Sequence, residues 1–130
     1  MRIMIVDDEL VCRKKLCKIL ENEGKVEEFI EGQSALDAFE KALDENNPFR
    51  LVTMDMHMPG LLGLEVLNRM RQIEANRNID RKNAAIIVMV TTDEERENIL
   101  NAISYNVNDY IAKPFNKEFI LSRLKEWLSE

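Results

Sequence analysis

The sequence predicts an α/β protein in which five parallel strands form one doubly wound sheet with helices on both faces. Three observations predict it. Short apolar runs alternate with helix-period segments five times along the chain, a βαβαβαβαβα order that argues for a mostly parallel sheet. Nearly every apolar run stops at a polar or charged residue followed by a turn or a new helix. Finally, 130 residues, 45% hydrophobic and 32% charged, suit one globular domain with a real core.

The first strand is Arg2–Val6 (RIMIV), which runs into Asp7-Asp8-Glu9. A helix follows over Glu9–Glu23, with Cys12, Leu16, Ile19 and Leu20 on one face, Asp8 as N-cap and Gly24 as the stop. Val26–Ile30 (VEEFI) is a weaker second strand. Gln33–Glu45 is a second helix on Leu36, Phe39, Ala42 and Leu43, closed by Asn46-Asn47-Pro48. The third strand, Leu51–Met54, ends on Asp55, and Pro59, Gly60 and Gly63 mark the loop after it. Leu64–Ile73 forms a third helix on Leu64, Leu67, Met70 and Ile73. Glu74–Asn83 is polar and reads as a helix tail and a long surface loop. Ala85–Val90 is the fourth strand and meets Thr91-Thr92-Asp93. Glu94–Tyr105 is a fourth helix on Ile99, Leu100 and Ile103. Asp109–Ala112 is a short fifth strand ending at Lys113-Pro114, and Asn116 caps a last helix on Ile120, Leu124, Trp127 and Leu128. No repeat, low-complexity segment or linker divides residues 1–130.

Composition excludes several classes of function. A net charge of −6, with no dense Lys/Arg run, argues against direct nucleic-acid binding; Arg13-Lys14-Lys15 reads as a solvated helix face. No apolar stretch approaches the roughly 20 residues that span a membrane, and the apolar core of MRIMIVDDE is too short for a signal peptide. The expected location is the cytoplasm, without membrane insertion. Cys12 and Cys17, five apart in a helical segment, match neither a redox nor a zinc motif and read as reduced thiols.

Parallel strands share one carboxyl-terminal edge, where ligands bind in open α/β sheets. That edge collects Asp7 and Asp8, Asp55, Thr91 and Thr92, and Lys113. Clustered carboxylates repel and need a cation or a proton between them. Hard oxygen donors without a Cys or His cluster favour Mg²⁺. A lysine and a hydroxyl beside such a cluster complement a phosphoryl group, with the Asp55 carboxylate as the nucleophile. Taken singly, Asp7-Asp8 and Thr91 or Asp93 fit helix caps, and Lys113 fits a surface lysine; four strand ends together favour the phosphoryl site.

The chain resembles the receiver domain of two-component response regulators over essentially its whole length. The residues that carry the resemblance are Asp7-Asp8, Met54-Asp55-Met56-His57-Met58-Pro59 with Gly63, Val90-Thr91, and Tyr110-Ile111-Ala112-Lys113-Pro114-Phe115. Finding no further domain, we place it nearest the stand-alone, chemotaxis-type regulators. The resemblance implies a flavodoxin-like (βα)5 fold and a phosphoacceptor rather than a turnover enzyme. Asp55 would take a phosphoryl group from a sensor histidine kinase or phosphotransfer domain. Mg²⁺, or Mn²⁺ in its place, would be held by Asp8, Asp55 and the His57 backbone carbonyl, with Asp7 assisting through water. Lys113, Thr91, Thr92 and Tyr110 would serve the phosphoryl group and the switch, remodelling the face of helix four, strand five and helix five for a downstream target protein. The Lys113–Pro114 bond would be cis.

Departures from the family pattern are Leu62 in place of an acid, Thr92 in place of a small residue, and His57 and Asp93, each two residues beyond a site residue. The last two border the route of an attacking water and are expected to tune dephosphorylation. Phe119, Leu121 and Trp127 form either an apolar output patch or part of a broad buried face. The Asn76–Asn83 loop is either a partner contact or a tolerated insertion. Among rival functions, an aspartate-nucleophile phosphatase wants an acid where His57 stands, and a dinucleotide-binding domain wants a glycine-rich first turn in place of Asp7-Asp8-Glu9-Leu10. A pseudo-receiver would not need the acceptor set. A phosphorelay intermediate or phosphate sink shares that set and differs only in lacking an output.

Overall fold

The computed structural model describes residues 1–58, 60–93 and 95–129. The order is β1 (Arg2–Val6), α1 (Leu10–Leu20), β2 (Lys25–Phe29), α2 (Gly32–Asp44), β3 (Phe49–Met54), α3 (Gly63–Asn76), β4 (Ile86–Thr91), α4 (Arg96–Ser104), β5 (Asp109–Ala112) and α5 (Lys117–Leu128). The five strands form one sheet in the order β2-β1-β3-β4-β5, with every neighbouring pair parallel. Pro59 and the expected start of α4 at Glu94 lie outside the described residues.

The strand period of two explains the doubly wound form. Met4, Val6, Val52, Met54, Ile87 and Met89 face one side and pack with Phe39 of α2 and Leu67 and Met70 of α3. Ile3, Ile5, Leu51, Val88 and Val90 face the other and pack with Leu16 and Leu20 of α1 and Ile120, Leu124 and Trp127 of α5. β4 is buried at all six positions, the continuous apolar run expected of a parallel strand covered on both faces. Only backbone hydrogen bonds from two neighbours can satisfy such a strand.

Several expectations need correction. Glu9, not Asp8, stands at the N-cap of α1 and makes no side-chain cap bond; the cap-like bond comes from Asp7, whose Oδ1 accepts the Glu9 N–H at 2.8 Å. The inward face of α4 is not Ile99-Leu100-Ile103: Leu100 and Ile103 are 52% and 59% exposed. Its inward stripe is Asn98, Ala102 and Tyr105, at i, i+4 and i+7, with Ala102 fully buried and the other two half-buried. The alanine lets this short helix approach the sheet, and a polar residue opening the stripe hid it from an apolar count.

The helix tail expected after Ile73 is present, since α3 runs on to Asn76, and Glu74 within it is buried. Its Oε1 accepts from Arg71 Nη1 at 2.8 Å and its Oε2 from the Ala85 N–H at 2.7 Å. Arg71 also donates to the carbonyls of Ala85 and Asn106 and to Asn108 Oδ1. The patch on α5 also dissolves. Trp127 is buried and donates to Asp109 Oδ2 at 3.0 Å, and Leu121 packs against the core. Phe119 alone is exposed, with Arg123 stacked 5.3 Å from its ring centre.

Candidate phosphoryl and metal site

The site grows out of strand order. The chain leaves β1 for β2 on one side and returns to β3 on the other, so a crevice opens beyond the carboxyl ends of β1 and β3. Val6 pairs with Met54, and the ladder continues one step as Asp55 N–H donates to the Val6 carbonyl at 2.9 Å. Asp7 N–H donates to the Phe29 carbonyl at 3.0 Å, and Lys113 N–H to the Thr91 carbonyl at 2.9 Å. Each residue just beyond a strand is thus still held by its neighbour's backbone. Behind Asp55, Gly63 opens α3 so tightly that a Cβ there would stand 2.1 Å from the Asp55 carbonyl oxygen.

Asp7, Asp8 and Asp55 each offer a carboxylate oxygen, all within 4.8 Å of one another. Asp7 and Asp55 are buried while Asp8 is exposed, so one side of the cluster stays open to solvent. Lys113 Nζ lies 3.0 Å from Asp7 Oδ2, 3.4 Å from Asp55 Oδ2 and 3.5 Å from Glu9 Oε1. Burial works against the Lys113 charge, but Asp7 and Asp55 outweigh it and raise the pKa above the ordinary lysine range. The ammonium is thus held between the Asp7 and Asp55 carboxylates. Asp7 Oδ2, close to Lys113, lacks hydrogen-bond alignment with any group. A compact, all-oxygen, three-carboxylate donor set with an incompletely satisfied buried oxygen suits a hard divalent cation such as Mg²⁺ or Mn²⁺. Cys12 lies beneath this cluster; burial, with Asp7 adding to it, pushes its thiol up to about 12, which leaves it neutral.

The other strand end carries a second group of contacts. Thr91 is fully buried, and its Oγ1 accepts the Asp93 N–H at 3.2 Å. Thr92 is exposed. The Asp93 carboxylate accepts from the Glu95 N–H at 2.9 Å and from Asn98 Nδ2 at 2.6 Å, and lies 2.7 Å from His57 Nε2. Burial opposes its charge, but Glu95, Asn98 and His57 together hold its pKa below the usual carboxylate range. Tyr110, half-buried, donates its hydroxyl to the Asp93 carbonyl at 2.5 Å. The Lys113–Pro114 peptide is cis, and Lys15 of α1 donates to the next carbonyl, that of Phe115, with its ammonium 4.7 Å from the Phe115 ring centre. The residues read from sequence therefore fall into two joined sets, Asp7-Asp8-Asp55-Lys113 and Thr91-Asp93-His57-Tyr110. Asn98 escaped that reading; its phase with Ala102 and Tyr105 was the available signal.

A doubly wound five-stranded parallel sheet with clustered carboxylates and a lysine at its switch-point edge defines a class of α/β folds with an acidic pocket. Within it, the chain belongs to the response regulator receiver domain family, which it matches over residues 3–125. It is 28% identical over 125 residues to chemotaxis protein CheY1 of Helicobacter pylori, covering 96% of this chain and 94% of that one. It is 30% identical to chemotaxis protein CheY-3 of Vibrio cholerae, covering 95% and 88%. The CheY-like receiver domain protein of Methanospirillum hungatei superposes with a TM-score of 0.80 at 29% identity, over 98% of this chain and 93% of that one. Members of this family are regulators of two-component signalling. No helix among the described residues is long and apolar enough to cross a membrane.

Proposed function

We propose that residues 1–130 act as one response regulatory domain in the cytoplasm, with Asp55 as its phosphoacceptor. The observation that carries this is the placement of Lys113 Nζ against both Asp7 and Asp55, at 3.0 and 3.4 Å, beside the open carboxylate cluster. The donor is a phosphohistidine on a sensor kinase or phosphotransfer domain. An Asp55 carboxylate oxygen attacks phosphorus in line, the P–N bond breaks as the new P–O bond forms, and the departing imidazole keeps its electron pair and takes up a proton. Asp8, Asp55 and the His57 carbonyl, with Asp7 behind them, would hold Mg²⁺, whose charge offsets that of the phosphoryl oxygens. Lys113 is already positioned to follow the charge from the carboxylate onto a phosphoryl oxygen. Thr91 reaches another such oxygen by giving up its bond to the Asp93 N–H, while Thr92 borders the entrance.

The output follows from what Thr91 and Tyr110 share. Both bind the backbone of Asp93, one its N–H and the other its carbonyl. A movement of Thr91 toward a phosphoryl group therefore changes the support of Tyr110 and of α4. That biases the face of α4, β5 and α5, where Leu100, Ile103 and Phe119 stand exposed for a target protein. His57 and Asp93, joined across the ends of β3 and β4, tune the lifetime of the acyl phosphate. Incubation with Mg²⁺ and acetyl phosphate, followed by intact-mass measurement, tests the assignment. One phosphoryl group is expected on the wild type and none on Asp55→Asn; labelling that survives the substitution, or an unlabelled wild type, overturns it.

A further inference from the structure

We infer that Asn98 is a positioning residue of the acceptor site: from the first turn of α4 it holds the Asp93 carboxylate against His57, lacing together the two loops that flank Asp55. The inference rests on the phosphoacceptor reading and adds to it a residue that touches neither the phosphoryl group nor the metal ligands. β3 and β4 are neighbours, with Met54 opposite Met89. His57 lies two residues after Asp55 and Asp93 two after Thr91, so their contact crosses from the end of one strand to the end of the next. The bridge joins the loop that follows Asp55 to the loop that follows Thr91.

The bridge cannot hold itself. The His57 side chain is 61% exposed, so water competes for its end of the contact and weakens it. Asp93 is the opposite case, with its side chain 4% exposed. Its two oxygens are fixed from the protein side: Oδ1 by the Glu95 N–H, and Oδ2 by Asn98 Nδ2 at 2.6 Å, on the same oxygen that His57 approaches. Among the described residues, Asn98 is the only side chain of α4 that hydrogen-bonds this carboxylate, and it opens the inward stripe where an apolar residue would otherwise pack. A neutral amide suits the task. It donates without adding charge, so the oxygen remains an acceptor for His57, which a cationic side chain would displace. Asn98 also ties the bridge to the helix that carries the exposed Leu100 and Ile103, so that movement of α4 and opening of the bridge are one event.

The test compares decay of the phosphorylated protein after removal of acetyl phosphate, followed by intact mass, in wild type, Asn98→Ala, Asp93→Ala and the double variant. Losing one hydrogen bond of ordinary strength shortens the lifetime roughly threefold to tenfold in Asn98→Ala. The same shortening is expected in Asn98→Leu, which keeps the side-chain volume and packing and lacks only the donor. In the Asp93→Ala background the Asn98 substitution has no further effect, an epistasis that a merely structural role would not produce. Unchanged lifetimes in both single Asn98 variants, or an undiminished effect without Asp93, overturn the inference while leaving Asp55 as acceptor. An unlabelled wild type overturns the phosphoacceptor reading beneath it.

Discussion

Replacing Lys113 by methionine keeps the length of the side chain and removes its charge. The ammonium is 3.0 Å from Asp7 Oδ2 and 3.4 Å from Asp55 Oδ2, in side chains 11%, 2% and 9% exposed. At an effective dielectric constant of about 20, each contact is roughly 5 kcal/mol of direct attraction, most of it offset by desolvation of the three groups. Removing one partner of a buried pair costs about 3–5 kcal/mol, because the remaining charge is stranded. Asp8 keeps one side of the cluster open to water, so the lower end, about 3 kcal/mol, is expected at neutral pH. Urea unfolding followed by the fluorescence of Trp127 measures it; with a slope of about 1–3 kcal/mol/M the midpoint falls by roughly 1–3 M. The cause is an unopposed pair of carboxylates, so millimolar Mg²⁺ restores more stability to the variant than it adds to the wild type. The wild-type advantage has a definite pH sign. The folded-state pKa of Lys113 is raised, so its contribution is fully present below the ordinary lysine pKa and is lost as pH rises through the higher folded value. A loss below about 1 kcal/mol, or an equal response of both proteins to Mg²⁺, refutes this account of how the lysine is held.

Gly63→Ala is expected to lower stability by about 2 kcal/mol and to slow labelling of Asp55, since the new Cβ meets the Asp55 backbone and not a movable side chain; unchanged urea midpoint and labelling rate contradict it. Glu74→Ala should cost about 3 kcal/mol in the same unfolding assay, because the Ala85 N–H loses its acceptor and Arg71 its carboxylate. Glu74→Gln, which keeps the shape and an acceptor oxygen but not the charge, loses less; equal losses would assign the effect to the charge alone, and a loss below about 1 kcal/mol in Glu74→Ala contradicts the account. Burial raises Cys12 to about 12 and Cys17, with Glu28 adding to the effect, to about 11. Neither thiol should be alkylated quickly by iodoacetamide at pH 8 until urea unfolds the chain, and rapid labelling of folded protein disproves the assignment.

The strands and helices were legible because their signals are local. A period of two or 3.6 and a terminal turn residue lie within one window, and Cys12, Leu16, Ile19 and Leu20 are buried as the period required. The acceptor cluster was legible for a different reason. Once the strands are parallel, whatever follows each one reaches the same edge, so Asp7, Asp55, Thr91 and Lys113 needed no contact prediction. The errors fall where a residue's role depends on a partner far along the chain. Glu74 reads only as the start of a polar helix tail until Ala85 and Arg71 enclose it. Trp127 reads as a possible patch residue until Asp109 receives its N–H. Leu100 and Ile103 read as core because two large apolar residues outweigh one alanine in any local count, although the alanine lets the helix come close.

The same distinction divides the site itself. The clustered carboxylates and the lysine are set by topology, so any sequence that folds this way with those residues will assemble them. The bracing around Asp93 is set by pairwise contacts among His57, Asn98, Thr91 and Tyr110, each from a different element or loop. No strand register enforces those contacts, and each is about one hydrogen bond in strength. On the proposed phosphoacceptor reading, a phosphoryl group would need to displace only one of them, the Thr91 bond to the Asp93 N–H, to redistribute the rest. The rigid part of the site would then decide which atom is modified, and the part held by single hydrogen bonds how long the modification lasts and how far α4 responds.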